Sequence, residues 1–251
     1  MMDKTTIDDI IRVNKDFYDK IGPDFDKTRQ SAWKGWGRVK EIINEEVGDK
    51  QFSVLDVACG NGRFIGATLE KEGLPLFKYL GIDSNDFLLS KAKTLENDHI
   101  QFMKLDAIND LEKLSPETFD VVVAFGITHH IPSNELRKKW FLQLSKLVSK
   151  NGLLIFTIWN YQMDERFKSV GASDSGFDLE EGDYFIGWAD EKSAKRYFHK
   201  YSDKEISEIE QILTSAGLKQ IKKFKSDGKA DNLNEYFVYK READATMNRI
   251  G

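Results

Sequence analysis

In the stretch VLDVACGNGRF, residues 54–64, the acid Asp56 leads by a short turn into two glycines, Gly60 and Gly62. Glycine lets a ligand come close to main-chain amides, so loops of this kind cradle nucleotides. Two more acids follow, Asp83 in YLGIDSND and Asp106 in MKLDAIND. A carboxylate after a second strand can accept both hydroxyls of a ribose. One after a third strand can accept from an exocyclic adenine amine. The groups that hold a phosphate are missing: no Gly-Lys-Ser or Gly-Lys-Thr follows the loop. A dinucleotide loop would need glycine at 65, where Ile65 stands, and Gly66 comes one position late. Three acids without a phosphate site describe a ligand that has a cation, a ribose and an adenine. S-adenosylmethionine (SAM) meets those requirements. Asp56 itself admits two roles, bracing the loop or meeting the SAM ammonium. Asp120 starts its strand and reads as structural, since ligands bind beyond the carboxyl ends. Cys59 reads as a small packed residue.

These residues need a scaffold, and the pattern around them supplies one. Strands are expected at 53–57, 78–83, 100–105, 119–125 and 152–159, with helices near 63–72, 85–96 and 134–149. The last helix puts Leu136, Trp140, Leu144, Leu147 and Val148 on one face, with Ser133 as N-cap and Gly152 beyond its end. Alternating strand and helix with short links means a mostly parallel sheet with helices on both faces. Ahead of it, Ile7, Ile10, Ile11, Phe17, Tyr18 and Ile21 form a helical stripe, which Gly22 and Pro23 should end. A second short helix carries Val39, Ile42 and Ile43, so residues 5–45 form an N-terminal helical cap. Residues 161–200 break the alternation and read as an inserted loop or lid. A helix, DKEISEIEQILTSAG, and two strand-like runs, KQIKKFK and NEYFVYKR, close a single domain over residues 1–251.

Composition narrows the classes. Hydrophobic residues make up 40% and charged residues 31%, a globular balance. The longest apolar runs, VVVAF and GLLIF, are far short of the ~20 residues that span a bilayer. The start lacks the basic and apolar regions of a signal peptide, and one cysteine cannot staple a fold, so a cytoplasmic place is expected. Four histidines and one cysteine offer no ligand cluster for a metal. The net charge of −5 counts against a large nucleic-acid footprint, although a local basic strip stays open.

The run VLDVACGNGRF, GIDSN, LDAI, FDVVVAFGITHH and NGLLIFTIW resembles the class I SAM-dependent methyltransferases, with their Rossmann-like sheet. That resemblance implies that the Gly60–Gly62 backbone approaches the methionine part and that Asp83, with Ser84 after it, binds the ribose. Asp106 and Ala107 would frame the adenine, and Phe125 and Gly126 would line the methyl-donor side. The segments FYDKIGPDFDKTRQSAW, THHIPSNELRKKW and KRYFHKYSDKEISEI are similar to the eukaryotic-type tRNA wobble-uridine methyltransferases, over Asn14 to Arg241. Those enzymes make the methyl ester of 5-carboxymethyluridine. Tyr18, Asp19, Thr28, Arg29, Trp33, His129, His130, Trp159, Arg196, Tyr197 and His199 fall on matching positions. Lys34, Pro132 and Asn160-Tyr161 depart from that pattern.

The resemblance implies an acceptor that is already an anion. Arg29 is the first candidate for a two-pronged grip on its carboxylate and Arg196 the second. Tyr18 and Arg29 also join the cofactor set. His130 is expected to hydrogen-bond the acceptor, and His129 to point elsewhere. A tRNA footprint would use Lys192, Lys195, Arg196 and Lys200 with interleaved Tyr197, Phe198 and Tyr201, helped by Arg137, Lys138 and Lys139. A small zinc-containing activator subunit is a partner in the resembled family. Two other readings stay open: methylation of a small carboxylate or hydroxyl metabolite, and a SAM-binding partner without catalysis. The lid between Gln162 and Lys192 favours the metabolite, carrying nine acids and two bases.

Overall fold

Asp3 accepts from the Thr6 amide at 3.0 Å and so caps the first helix, α1 (Lys4–Lys27). In the computed structural model, which describes residues 2–66, 75–160, 169–170, 176–188 and 191–243, α1 does not stop at Gly22 and Pro23. A proline clashes with the Cβ of the residue before it. Gly22 has none, so the helix runs one turn further and closes on Thr28. Trp33 precedes α2 (Lys34–Val47), whose buried face is Gly35, Trp36, Val39, Ile42 and Ile43.

The central strands are β1 (Phe52–Val57), β2 (Leu76–Asp83), β3 (Ile100–Lys104), β4 (Phe119–Ala124) and β5 (Val148–Trp159). They interleave with α3 (Asp86–Ala92) and α4 (Asn134–Lys146). Residues 63–66 are helical, and the rest of the helix expected near 63–72 lies outside the described residues. Three later strands, β6 (Ser169–Val170), β7 (Asp183–Trp188) and β8 (Glu191–His199), form a separate sheet. Then come α5 (Asp203–Ser215), β9 (Leu218–Ser226) and β10 (Asn234–Arg241). The main sheet has seven strands in the order β3-β2-β1-β4-β5-β10-β9. Pairing is parallel from β3 to β5, and β10 runs antiparallel to both neighbours. Gly152 is part of β5, where a Cβ would stand 2.9 Å from the Asp120 carbonyl. One face of the sheet packs Trp140, Phe141 and Leu144 of α4 and Leu213 of α5, and the other packs α2 and Leu89 of α3.

The described residues of the insert carry regular strands, where composition suggested a loop. Residues 183–188 and 191–199 pair as antiparallel strands, and α1 packs on them through Ile10 against Phe185 and Tyr197. Residues 161–168, 171–175 and 189–190 of the expected lid lie outside the described residues. Ser133 takes the N-cap position of α4 but makes no capping bond, because its φ of 66° turns it away. Glu180 from the insert does that work instead, accepting from the Asn134 amide at 2.8 Å.

Candidate active site

The chain reverses its strand order between β1 and β4, and in open α/β sheets ligands sit beyond the carboxyl ends at such a point. Here that position is a cavity of about 790 Å³, walled on its far side by α1 and the insert. Gly60, with φ 56°, borders it, and the nearest atom to a Cβ built there is 4.0 Å away. A ligand can therefore lie against its backbone. Gly62, with φ 74°, does not border the cavity: a Cβ there would press on Phe102 at 3.1 Å and Ala92 at 3.2 Å. Its task is close packing behind the loop, which differs from the cofactor contact expected of it.

Asp83 ties the two turns together. Its Oδ2 accepts from the Gly60 amide at 2.8 Å and its Oδ1 from the Asn85 amide at 2.9 Å. Each oxygen keeps a second lone pair, so two ribose hydroxyls can be accepted from the cavity side. Burial raises the Asp83 pKa, against the pull of those amides. Asp106 is braced in the same way, accepting from the Ile108 amide at 2.9 Å and from the Asn109 side chain at 2.9 Å. Ser84, Asp106 and Ala107 line the cavity. If Asp83 takes the ribose, Asp83→Ala should weaken SAM by about 1.5–3 kcal/mol for each charged hydrogen bond lost. Calorimetry reads this directly, and unchanged affinity would remove Asp83 from the binding set.

Asp56 is buried, borders the cavity and accepts from the Tyr79 hydroxyl. Burial raises its pKa to about 7, with the Tyr79 bond opposing and the Asp83 charge adding. Raised above its unfolded value of ~3.9, the group favours the fold fully at low pH, and that contribution fades as pH rises toward 7. A ligand cation beside it has the opposite preference, for the ionised form. SAM affinity should therefore climb between pH 6 and 8 more steeply than in Asp56→Asn, as titration calorimetry at several pH values would read. Equal slopes in the two proteins would leave Asp56 as a loop brace.

The donor side is aromatic. Phe125 and Gly126 line it, and Trp33 closes on Gly126, where a Cβ would meet its ring at 3.3 Å. Trp33 stacks on Trp36 at 5.0 Å, and Arg63 lies over the Trp36 ring at 4.9 Å. Sequence reasoning gave Arg63 no role, although it follows the loop glycines directly. Burial, then the charge of Arg29, lower its pKa to about 10. Arg29 borders the cavity just past α1, over the Phe25 ring at 4.9 Å, with only loose contacts to Thr28 at 3.3 and 3.4 Å.

The opposite wall joins α1 to β8. Arg196, 7% exposed, donates to the Tyr18 hydroxyl at 3.1 Å and faces the Trp159 ring at 5.8 Å. Tyr18 bonds His130 Nε2 at 2.9 Å, and His130 Nδ1 is 3.0 Å from the Tyr197 carbonyl. Asn14 holds the Tyr197 amide at 2.7 Å and approaches His130 at 3.3 Å. A polar residue on the buried stripe of α1 was the signal for Asn14, and sequence reasoning passed over it. Arg196, Tyr197, Phe198 and Tyr201 are all buried, so they cannot form the exposed strip expected to contact phosphate. Arg137 is 1% exposed and equally withdrawn. Lys195, Lys200 and Lys139 are exposed, Lys138 pairs with Glu208 at 3.0 Å, and the Lys192 side chain lies outside what is described.

Residues 55–154 match the family described as a methyltransferase domain. A tRNA (carboxymethyluridine(34)-5-O)-methyltransferase of Arabidopsis thaliana is 24% identical over 148 residues, 59% of this chain. The match covers 33% of that relative, so this chain spans about a third of its length. An Encephalitozoon cuniculi protein described as a methyltransferase is 22% identical over 210 residues, 81% of this chain and 85% of that one. A solved SAM-dependent methyltransferase from Clostridium acetobutylicum shares the fold with a TM-score of 0.61 at 18% identity, over 90% of this chain and 99% of that one. The magnesium protoporphyrin IX methyltransferase of Synechocystis, solved with bound SAM, gives 0.60 at 12% identity, over 92% and 97%. Cavity-lining carboxylates at the end of β2 and just past β3 and an open glycine backbone past β1 fit the same cofactor. A methyltransferase domain match over residues 55–154 and this sheet order together give the chain the class I Rossmann-like methyltransferase fold, with a site that fits S-adenosylmethionine.

Proposed function

We propose that this chain methylates a carboxylate, making the methyl ester of 5-carboxymethyluridine at the tRNA wobble position. One observation carries the proposal: two guanidiniums, Arg29 and Arg196, flank one cavity among aromatic rings. Burial lowers the Arg29 pKa, and the Arg196 charge lowers it further, so an anion between them relieves both. SAM supplies the methyl group on a sulfonium. A carboxylate is ionised near pH 7 and needs no base, so the chain's task is to strip its water and aim one oxygen. The oxygen–methyl bond forms as the methyl–sulfur bond breaks, and the electron pair leaves with sulfur. The name of the plant relative supports this acceptor. The proposal includes tRNA and a small zinc-containing activator subunit as partners, and a cytoplasmic place.

A second reading, a small carboxylate metabolite, is favoured by the burial of Arg196, Tyr197, Phe198 and Tyr201, four members of the strip expected to contact phosphate. The two separate in one assay. Label from SAM is followed into tRNA bearing 5-carboxymethyluridine, with and without the activator, and into small carboxylates. Label recovered in the nucleoside methyl ester supports the tRNA proposal. Label confined to small carboxylates replaces it with the second reading.

A further inference from the structure

The short helical turn Thr128–His130 brings two imidazoles to the cavity, and their surroundings differ sharply. His130 sits inside a closed series of bonds. The Arg196 guanidinium donates to the Tyr18 oxygen, the Tyr18 hydroxyl donates to His130 Nε2, and Nδ1–H donates to the Tyr197 carbonyl. Every donor in that series meets an acceptor, which fixes the tautomer and leaves neither nitrogen for a ligand. Burial, then the Arg196 charge, lower its pKa to about 3, so it stays neutral in that role.

His129 is the opposite case. It is 8% exposed and lines the cavity, with its ring 5.0 Å from Trp159 and 6.0 Å from Phe198. Its Nδ1 is buried with no hydrogen-bond partner, and neither ring nitrogen bonds to any described residue. Nδ1 is closed to solvent, so the nitrogen left for a ligand in the cavity is Nε2, which no described residue meets. Burial holds this imidazole neutral, and His130, Arg196 and His199, the titratable groups around it, all act in the same direction. A neutral imidazole keeps one N–H to give. Trp159 is the shared wall between this ring and the Arg196 guanidinium.

We propose that His129, and not His130, is the imidazole that meets the methyl acceptor, donating its ring N–H to the carboxylate oxygen that does not attack the methyl. His130 is then a positioning residue, holding Tyr18 and through it Arg196. The assignment rests on the carboxylate reading above. No proton moves in the step: His129 is neutral before and after, and orients the acceptor without acting as a base.

The test uses the whole chain, labelled with nitrogen-15 in its histidines and loaded with S-adenosylhomocysteine. 5-Carboxymethyluridine nucleoside is added, with uridine as the probe that lacks the carboxylate. The His129 nitrogens should shift with the first and not with the second, while those of His130 stay in place. In kinetics, His129→Phe should keep SAM affinity and melting temperature and lower transfer by about 10–100-fold, the worth of one charged hydrogen bond. His129→Asn, which restores an N–H donor, should recover most of the loss. A shift at His130 alone, no shift at either, or wild-type transfer by His129→Phe overturns the assignment. Where the wild type esterifies a small carboxylate but not tRNA, the tRNA proposal falls. The His129 test then stands with that carboxylate as probe.

Discussion

Arg29→Ala is expected to lower methyl transfer by about 100-fold at saturating acceptor, the penalty for an attacking oxygen left out of line. The melting temperature should hardly change, because the side chain supports little else. Its hydrogen bonds run to the adjacent Thr28 at 3.3 and 3.4 Å, and its other contact is the Phe25 ring. A group that holds the acceptor only to bind it would raise KM alone. One that aims the oxygen lowers turnover even when the site is full. Arg29→Lys should recover little, since an ammonium is a point charge and cannot reproduce a planar two-pronged grip. Arg29 was also expected in the cofactor set, so SAM affinity must be measured beside turnover. Single-turnover rates with SAM saturating separate the two roles. If the rate returns to normal once SAM saturates, Arg29 serves the cofactor and the carboxylate grip must pass to Arg196 and Arg63.

What could be read from the chain is what depends on local pattern. The glycine loop and the acids at the end of β2 and just past β3 lie within a few residues of the strands that carry them, and strand and helix alternate with plain periods. Three features escaped because they depend on atoms brought from elsewhere. Pro23 looked like a stop, yet α1 runs through it, and Gly22 presents no Cβ to the proline ring. The segment around Arg196 looked like a basic aromatic strip. Antiparallel pairing of β7 with β8, and α1 on top of them, bury Arg196, Tyr197 and Phe198, while Tyr201 enters the main core. His129 and His130 are neighbours in sequence and both line the cavity, and spacing cannot say which one has its ring nitrogens already bonded. That choice comes from Tyr18, Asn14 and the Tyr197 carbonyl, more than a hundred or several tens of residues away. Polar residues at buried positions of a stripe, Asn14 among them, are the trace such contacts leave in a sequence.

The same dependence on distant partners sets the largest expected effect on stability, at Arg137. It was counted among the RNA-facing bases, yet its side chain is 2% exposed. Its Nη1 donates to the Ile131 carbonyl at 3.2 Å, and its Nη2 to Glu205 at 2.9 Å and Glu180 at 3.3 Å. Glu205 also faces His199 at 3.0 Å, and His199 faces Asp183 at 2.6 Å, so one buried ionic cluster joins α4, α5 and the insert sheet. Arg137→Ala takes away the guanidinium that Glu180 and Glu205 share and leaves Glu205 to His199. Removing one partner of a buried pair costs about 3–5 kcal/mol. For a chain of this size the melting temperature should fall by roughly 6–20 °C. Arg137→Lys should not restore it, since one ammonium cannot serve three acceptors placed for a guanidinium. The double variant Arg137→Met with Glu205→Gln should lose less than the two single losses added together, because it removes both charges. The acid limb carries a sign of its own. Partial burial works against the Glu205 carboxylate, but His199 and Ser202 outweigh it and hold the pKa well below the usual range. Its contribution is therefore complete above the unfolded value of ~4.3 and is lost as pH falls below that toward the folded value. Melting temperatures of wild type and Glu205→Gln measured from pH 7 down to pH 3 should draw closer as the pH falls below about 4.3. Parallel curves, or an Arg137→Ala protein that melts with the wild type, would mean that the cluster does not hold the insert to the sheet.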